Sequence, residues 1–310
     1  MQTATTVRGN ADLPDAAVFL LRDLIDYAGL FPPASLSMAS SVANYDTYLN
    51  SRWTWILGRF IVPVARLGEF EKAHKALPSS SEKSGGWRLS VLPGSDVVAD
   101  VARIRDFNSR MMSADSGWKA MIESVEVKVA SPEELARLSL VIPAELETYF
   151  EFPLSSADEC ISAVARVGRR AKIRTGGETA DKFPAAESVI EFIRLCAAAD
   201  VPFKATAGLH HPLRSIHRLT YHSDSPSGMM HGFLNVFLAA AFLRAGMERA
   251  LAISLLESCG PFEFSSGCIH WRKNRLNTDE IAAARKDFAI SFGSCSFTEP
   301  TDDLQSLHLL

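Results

Sequence analysis

From about residue 58 onward, short runs of β-branched and aromatic residues alternate with longer stretches whose apolar positions recur at helical spacing. This is the sequence form of repeated βα units. Eight strand candidates emerge: YAGLFP (27–32), RFIVPVA (59–65), WRLSVLP (87–93), SVEVKVA (124–130), ETYFEFPL (147–154), AKIRTG (171–176), PFKATAGL (202–209) and SFGSCSF (291–297). The stretches SDVVADVARIRDFNSRM, SPEELARLSLV, SADECISAVARVG and FPAAESVIEFIRLCAAA predict helices between them. Three of these open near Ser or Asp, residues that cap free helix amides. A long insertion, about 210–290, follows the seventh strand. It holds a His-rich loop, apolar helices around HGFLNVFLAAAFLRAG and ERALAISLLES, and the segment FEFSSGCIHWRKN. It reads as a lid or an oligomer contact. PSSSEKSGG (78–86) reads as a solvated loop.

The expected architecture is therefore α/β: a (β/α)8 TIM barrel, one domain over 1–310, with a long helical insertion between strands 7 and 8. An open doubly wound sheet would produce the same alternation. Eight strands, and no G-x-G-x-x-G after an early strand, favour the barrel.

Composition narrows the partners. The chain has 310 residues, 47% of them hydrophobic, enough to bury a large core, and a formal net charge of −4 with no long basic run. A small-molecule substrate is expected rather than nucleic acid or a membrane. The start, MQTATTVRGNADLPD, has no apolar signal-like stretch, and no apolar run approaches the ~20 residues that span a bilayer; the expected location is cytoplasmic. Cys160, Cys196, Cys259, Cys268 and Cys295 are odd in number and include no C-x-x-C, so they read mostly as buried thiols.

Alternation splits each strand into a face toward the helices and a face toward the barrel interior. Val125, Val127 and Val129 leave Glu126 and Lys128 inward; Phe150, Phe152 and Leu154 leave Tyr149 and Glu151. Ala171 and Ile173 leave Lys172 and Arg174, while Phe203, Ala205 and Ala207 leave Lys204 and Thr206. Six charged groups then face inward from four successive strands. Such burial demands either mutual pairing or chemistry, and barrel active sites sit at the carboxyl ends of the strands. A desolvated lysine beside a second cation is pushed toward its neutral, nucleophilic form, which makes Lys172 and Lys204 candidate catalytic groups. Glu126 and Glu151 are the candidate proton carriers, with Tyr149 as an assistant. A purely structural ion network is the competing reading.

The segment K-x-R-T-G-G from Lys172, followed about one βα unit later by F-K-A-T-A-G-L, resembles the K-T-S-T-G and K-x-A-G-G strands of the deoxyribose-phosphate aldolase family. That resemblance implies a class I aldolase on a (β/α)8 barrel. Lys172 would form the Schiff base, Lys204 would lower its pKa, and Glu126 would stand where the family has an Asp relay. Arg174 replaces a small hydroxyl residue, and AGLHHPLR replaces a phosphate-cradling Gly-Gly turn. Arg174 is suited to grip a carboxylate or phosphate, with amides of the Gly176-Gly177 turn beside it. The expected activity is a lyase acting on a small anionic carbonyl compound without metal or cofactor.

His210, His211, His217, His222 and His231 cluster in one stretch. His210 and His211, directly after strand seven, are candidate substrate ligands. With Glu151 they suggest the alternative of a metal-dependent lyase or hydrolase, although no H-E-x-x-H signature is present. His231 and Asn235 share a helix face, read as core polar groups. Thr206, Ser294 and Ser296 are further candidate substrate contacts, and Cys295 reads as close packing. Met229 and Met230 read as core or lid. A non-catalytic barrel that binds a metabolite or partner is the third possibility, and a homo-oligomer fits the insertion.

Overall fold

A computed structural model describes residues 13–78, 86–113, 120–260 and 262–310. Residues 1–12 and most of PSSSEKSGG lie outside the described residues. Seven strands lead the chain: β1 (Ile25–Tyr27), β2 (Leu57–Pro63), β3 (Trp87–Leu92), β4 (Ala120–Lys128), β5 (Glu147–Glu151), β6 (Arg170–Arg174) and β7 (Phe203–Thr206). A hairpin, β8 (Ser215–Arg218) and β9 (Ser227–Met230), and a three-stranded antiparallel sheet, β10 (Glu263–Phe264), β11 (Cys268–Trp271) and β12 (Asn274–Asn277), precede the last strand, β13 (Ala289–Ser294). The first seven strands and β13 close into an all-parallel barrel in the order β1-β13-β7-β6-β5-β4-β3-β2. The fold is the expected (β/α)8 TIM barrel.

Eleven α-helices are described: α1 (Asp15–Leu21), α2 (Met38–Leu49), α3 (Leu67–Lys75), α4 (Val97–Ser113), α5 (Pro132–Val141), α6 (Ala157–Arg166), α7 (Ala186–Ala198), α8 (Phe233–Arg244), α9 (Arg249–Leu256), α10 (Thr278–Asp287) and α11 (Thr298–Ser306). Local chemistry fixes several starts. Ser131 accepts from the Glu134 amide ahead of Pro132 at the start of α5, and Asn277 with Glu280 forms a capping box on α10. In α6 the buried positions Ala157, Cys160, Ile161 and Val164 form one stripe against the barrel. The outward faces of the strands complete the core, with Ile25, Phe60, Val62, Leu89, Val91, Val125, Val127, Phe150, Ile173, Phe203 and Phe292 all buried.

Two expectations change. The first strand is Ile25–Tyr27, not 27–32, because Gly29, Pro32 and Pro33 come directly after it and cannot sustain a buried ladder. The stretch 210–290 is less an insertion than the seventh crossover with additions. Helix α8, buried on all sides from Phe233 to Phe242, packs against α7, α9 and α10, and α10 packs on α1 and runs into β13. The additions are the hairpin, α9 and the small sheet built from FEFSSGCIHWRKN. No helix among the described residues is long and apolar enough to cross a membrane. All five cysteines carry free thiols, and only Cys259 is exposed.

Gly58 lets β2 approach the Asp26 carboxylate closely. A β-carbon there would collide with Asp26 Oδ1, the oxygen that accepts the Arg59 amide at 2.7 Å. Gly58→Ala is expected to destabilise the fold by about 1–3 kcal/mol, as overpacking in a filled core does. A fall in the denaturant midpoint at constant m value checks this.

Candidate active site

The barrel interior is polar in layers, unlike the branched apolar filling common in this architecture. At the amino-terminal floor, Arg59 pairs with Glu123 at 2.9 Å and Glu147 at 3.1 Å, and Arg170 reaches Glu147 at 3.3 Å. Arg88 binds Asp23 and Glu123 beside them. Tyr149 belongs to this lower region: its hydroxyl donates to Glu147 at 3.3 Å and accepts from Arg170 at 3.1 Å, and its ring lies beneath the Lys204 ammonium at 5.4 Å. It is a floor residue rather than an assistant at the mouth.

Above the floor runs an unbroken chain of alternating charges. Lys204 Nζ donates to Asp26 Oδ2 and Glu126 Oε1, both at 2.6 Å. Glu126 Oε2 lies 2.9 Å from Lys172 Nζ, which is 2.8 Å from Glu151 Oε2; Glu151 Oε1 accepts from Arg174 Nε at 3.2 Å. Register explains the order. Lys172 is the direct neighbour of Lys204 across β6 and β7 and of Glu151 across β5 and β6. The two ammonium groups therefore start side by side, and Glu126 reaches between them from β4. Ser90 donates to Glu126 Oε1 at 2.7 Å and Ser291 to Asp26 Oδ2 at 2.7 Å, which satisfies the remaining lone pairs.

Burial opposes charge on Glu126, yet the ammonium groups of Lys172 and Lys204 hold its carboxyl well below the usual carboxylate range. Glu151 is treated the same way, with burial opposed and outweighed by Lys172 and Arg174. Burial disfavours the Lys204 ammonium too, but Asp26 and Glu126 overcome it and raise its pKa above the ordinary lysine value. Three carboxylates thus face three cations. The expectation that Lys204 would act on Lys172 as a bare neighbouring cation changes accordingly, since the Lys204 charge is already neutralised by its own two partners.

The two lysines differ in access. Lys204 is fully buried, whereas Lys172 opens onto a cavity of about 720 Å³ at the carboxyl ends of the strands. Glu126, Lys172, Arg174, Gly177, Thr206 and His210 of the expected residues line it, together with Lys128, Glu178, Thr179, Lys182 and Cys295. Phe31, Pro33, Ile61 and Leu92 supply its apolar side. Gly176 lies behind the wall, where Phe183 and Gly208 leave no room for a β-carbon. Ser294 and Ser296 do not line the cavity. On β13 the inward residues are Ser291 and Gly293, with Cys295 beyond them, so Ser294 falls on the other face. Ser296 Oγ instead accepts the Glu299 amide at 3.2 Å, near the start of α11.

Asp26 was not among the candidates because its strand was placed two residues late. An acidic residue flanked by buried Ile25 and Tyr27 was the available signal. Lys182, Glu178 and Thr179 lie on the loop after β6, where no periodic pattern marks a side chain as inward.

The histidines disperse. His210 reaches Glu299 at 3.4 Å and Cys295 Sγ at 3.9 Å, and Tyr221 donates to Glu299 at 2.7 Å. Burial works against the His210 imidazolium, but Cys295 and Glu299 raise its pKa to about 9. His211 turns away to Asp303 at 2.6 Å and stacks on His217 at 3.4 Å. Glu151 is held by Lys172 and Arg174. The described residues contain no group of three or more His, Cys, Asp and Glu placed to hold a metal ion, so the set proposed from His210, His211 and Glu151 is not assembled.

These contacts set two measurable outcomes. Glu126→Gln leaves two buried ammonium groups without their shared counter-charge, and a stability loss of about 3–5 kcal/mol is expected in denaturant unfolding. The folded pKa of Glu126 lies below its unfolded value of ~4.3. Its contribution is therefore intact above that pH and drains away as the pH falls toward the folded value, so the gap between wild type and Glu126→Gln should narrow on acidification. Glu299→Gln should move the His210 titration down from about 9 toward the usual ~6.5, read by NMR. Among known proteins, no family model matches this chain and no curated protein matches it.

Proposed function

We propose that the protein is a lyase that forms a Schiff base between Lys172 and a small anionic carbonyl compound. The observation that carries this reading is the contrast between two neighbouring buried lysines, of which only Lys172 opens into the cavity, between Glu126 and Glu151. Such a setting suits a group that is cationic both before and after reaction. The resting ammonium and the iminium bear the same charge, so the carboxylates that hold the first also stabilise the second.

Nucleophilic attack needs the neutral amine. Glu151 Oε2 is the favoured proton acceptor, because it lies 2.8 Å from Lys172 Nζ. Protonating Glu126 instead would uncover the Lys204 charge as well. The neutral amine adds to the carbonyl carbon, water departs, and the iminium draws the electron pair of a breaking C–C or C–H bond into an enamine. Arg174, Lys128 and Lys182 on the cavity wall favour a substrate bearing a carboxylate or phosphate.

Borohydride reduction in the presence of small aldehydes, ketones and keto acids, then intact mass and peptide mapping, tests this. A stable adduct on Lys172 is expected, absent from Lys172→Ala and formed roughly 100-fold more slowly in Glu151→Gln, the usual scale for losing a proton carrier. Ligand-induced stabilisation without any adduct would instead indicate a binding barrel with no turnover. An adduct confined to surface lysines would discard the proposal.

A further inference from the structure

The wall of the main cavity changes in kind around the barrel. Lys128 at the end of β4, Arg174 at the end of β6 and Lys182 on the loop after β6 make one sector cationic. Phe31 after β1, Ile61 on β2 and Leu92 on β3 make the opposite sector apolar. Between the two, beyond the ends of β7 and β13, stand His210 and Cys295. The chemistry at Lys172 has so far used neither.

His210 is held on one side and open on the other. Its Nδ1 lies 3.4 Å from Glu299 Oε2 on α11 and 3.9 Å from Cys295 Sγ. Glu299 is itself fixed, because Tyr221 in the hairpin turn donates to Oε2 at 2.7 Å and Ser296 Oγ accepts the Glu299 amide at 3.2 Å. The Phe233 amide donates to the neighbouring His211 carbonyl at 3.0 Å, which anchors the backbone here. The other ring nitrogen, Nε2, bonds to none of the described residues, yet it is not shut off from solvent, and the space that His210 lines is the cavity.

Burial works against the imidazolium, but Cys295 and Glu299 raise its pKa to about 9, so near neutral pH Nε2 carries a proton. Burial opposes charge on Glu299 as well, and His210 and Tyr221 outweigh it. The other titratable groups around this corner are Cys295, Tyr221 and the stacked His211 and His217, which Asp303 of α11 holds. A histidine oriented by a carboxylate at one nitrogen and open to a cavity at the other is the arrangement of a proton-transfer group.

We propose that His210 is the catalytic acid that protonates the oxygen of an aldehyde as the enamine on Lys172 adds to it, and that this aldehyde carries an apolar substituent. The inference rests on the Schiff-base reading of Lys172. The enamine carbon bonds to the aldehyde carbon, the carbonyl π pair moves onto oxygen, and that oxygen takes the proton from Nε2. Water then hydrolyses the iminium, releasing a β-hydroxy carbonyl compound and the Lys172 amine, and Nε2 regains a proton from solvent. The anionic group of the donor faces the cations of β4 and β6, and the apolar substituent of the aldehyde lies across β1 to β3. Glu299 is a positioning residue that keeps His210 protonated.

Pyruvate and dihydroxyacetone phosphate supply a carboxylate and a phosphate donor, and the one that gives the borohydride-trapped adduct on Lys172 is used at saturation with isobutyraldehyde, benzaldehyde or glycolaldehyde. Condensation with the two apolar aldehydes is expected to be about tenfold faster than with glycolaldehyde. The wild-type rate should hold level near neutral pH and fall through about pH 9, as the acid form of His210 is lost. In Glu299→Gln that fall should move down toward ~6.5, which a merely structural role for Glu299 would not produce. His210→Gln should slow condensation about 100-fold more than it slows trapping of the adduct. If that variant does not fold, the wild-type and Glu299→Gln profiles still decide. An adduct on Lys172 with no condensation, glycolaldehyde as the best acceptor, the same pH profile in both proteins, or equal slowing of both steps in His210→Gln would each overturn the inference while leaving the Schiff base standing. No adduct on Lys172 from either donor would remove both.

Discussion

Glu126 is the constraint on which the barrel interior depends. Neighbouring strands lie about 4.8 Å apart, so register alone sets Lys172 and Lys204 as adjacent buried cations. That arrangement is tolerable only if a counter-charge enters between them. Glu126 does so from two strands away, giving one oxygen to each lysine. Asp26 and Glu151 then close the two ends of the chain.

This ionic chain divides the barrel in height. Below it, Arg59, Arg170, Glu123, Glu147 and Tyr149 fill the floor with paired groups and leave Lys204 no path to solvent. Above it, small residues at Thr206 and Gly293 leave space, and the cavity opens there. The difference between the lysines is thus a difference of depth rather than of residue type. Depth also leaves Lys172 on the cavity wall and Lys204 buried beneath it.

The rims are organised by loops in the same manner. Ala207 and Gly208 take left-handed backbone conformations directly after β7, with φ of 64° and 75°. The chain turns there, and Gly208 meets Gly176 and Phe183 closely enough to exclude a β-carbon. That packing fixes the loop after β6 on the wall of the cavity. Asn235 performs the equivalent service on the far side, tying together the residue that begins the hairpin region and the end of α9. Close packing of glycines and Phe183 on one side and a fully hydrogen-bonded Asn235 on the other fix these loops.

Much of the architecture was legible in the chain itself. Seven of the eight barrel strands overlap the expected runs by four or more residues, because a parallel barrel strand must bury its helix-facing residues and so writes a period of two into the sequence. The same period put Glu126, Glu151, Lys172 and Lys204 on one face before any pairing was known. The first strand was misplaced because only three residues pair, too few for a period to show, and Asp26 went with it. The last strand begins two residues before the expected run, which led to Ser294 and Ser296 where Ser291 and Gly293 face inward. Sequence alone thus determined the barrel, the inward charged residues and the candidate lysines, all consequences of local alternation. Only the tertiary structure decided which charges touch, which lysine opens to the cavity, and that the histidines separate. Those outcomes depend on distances between residues far apart in the chain, set by closure of the barrel and by loops that carry no periodic signal.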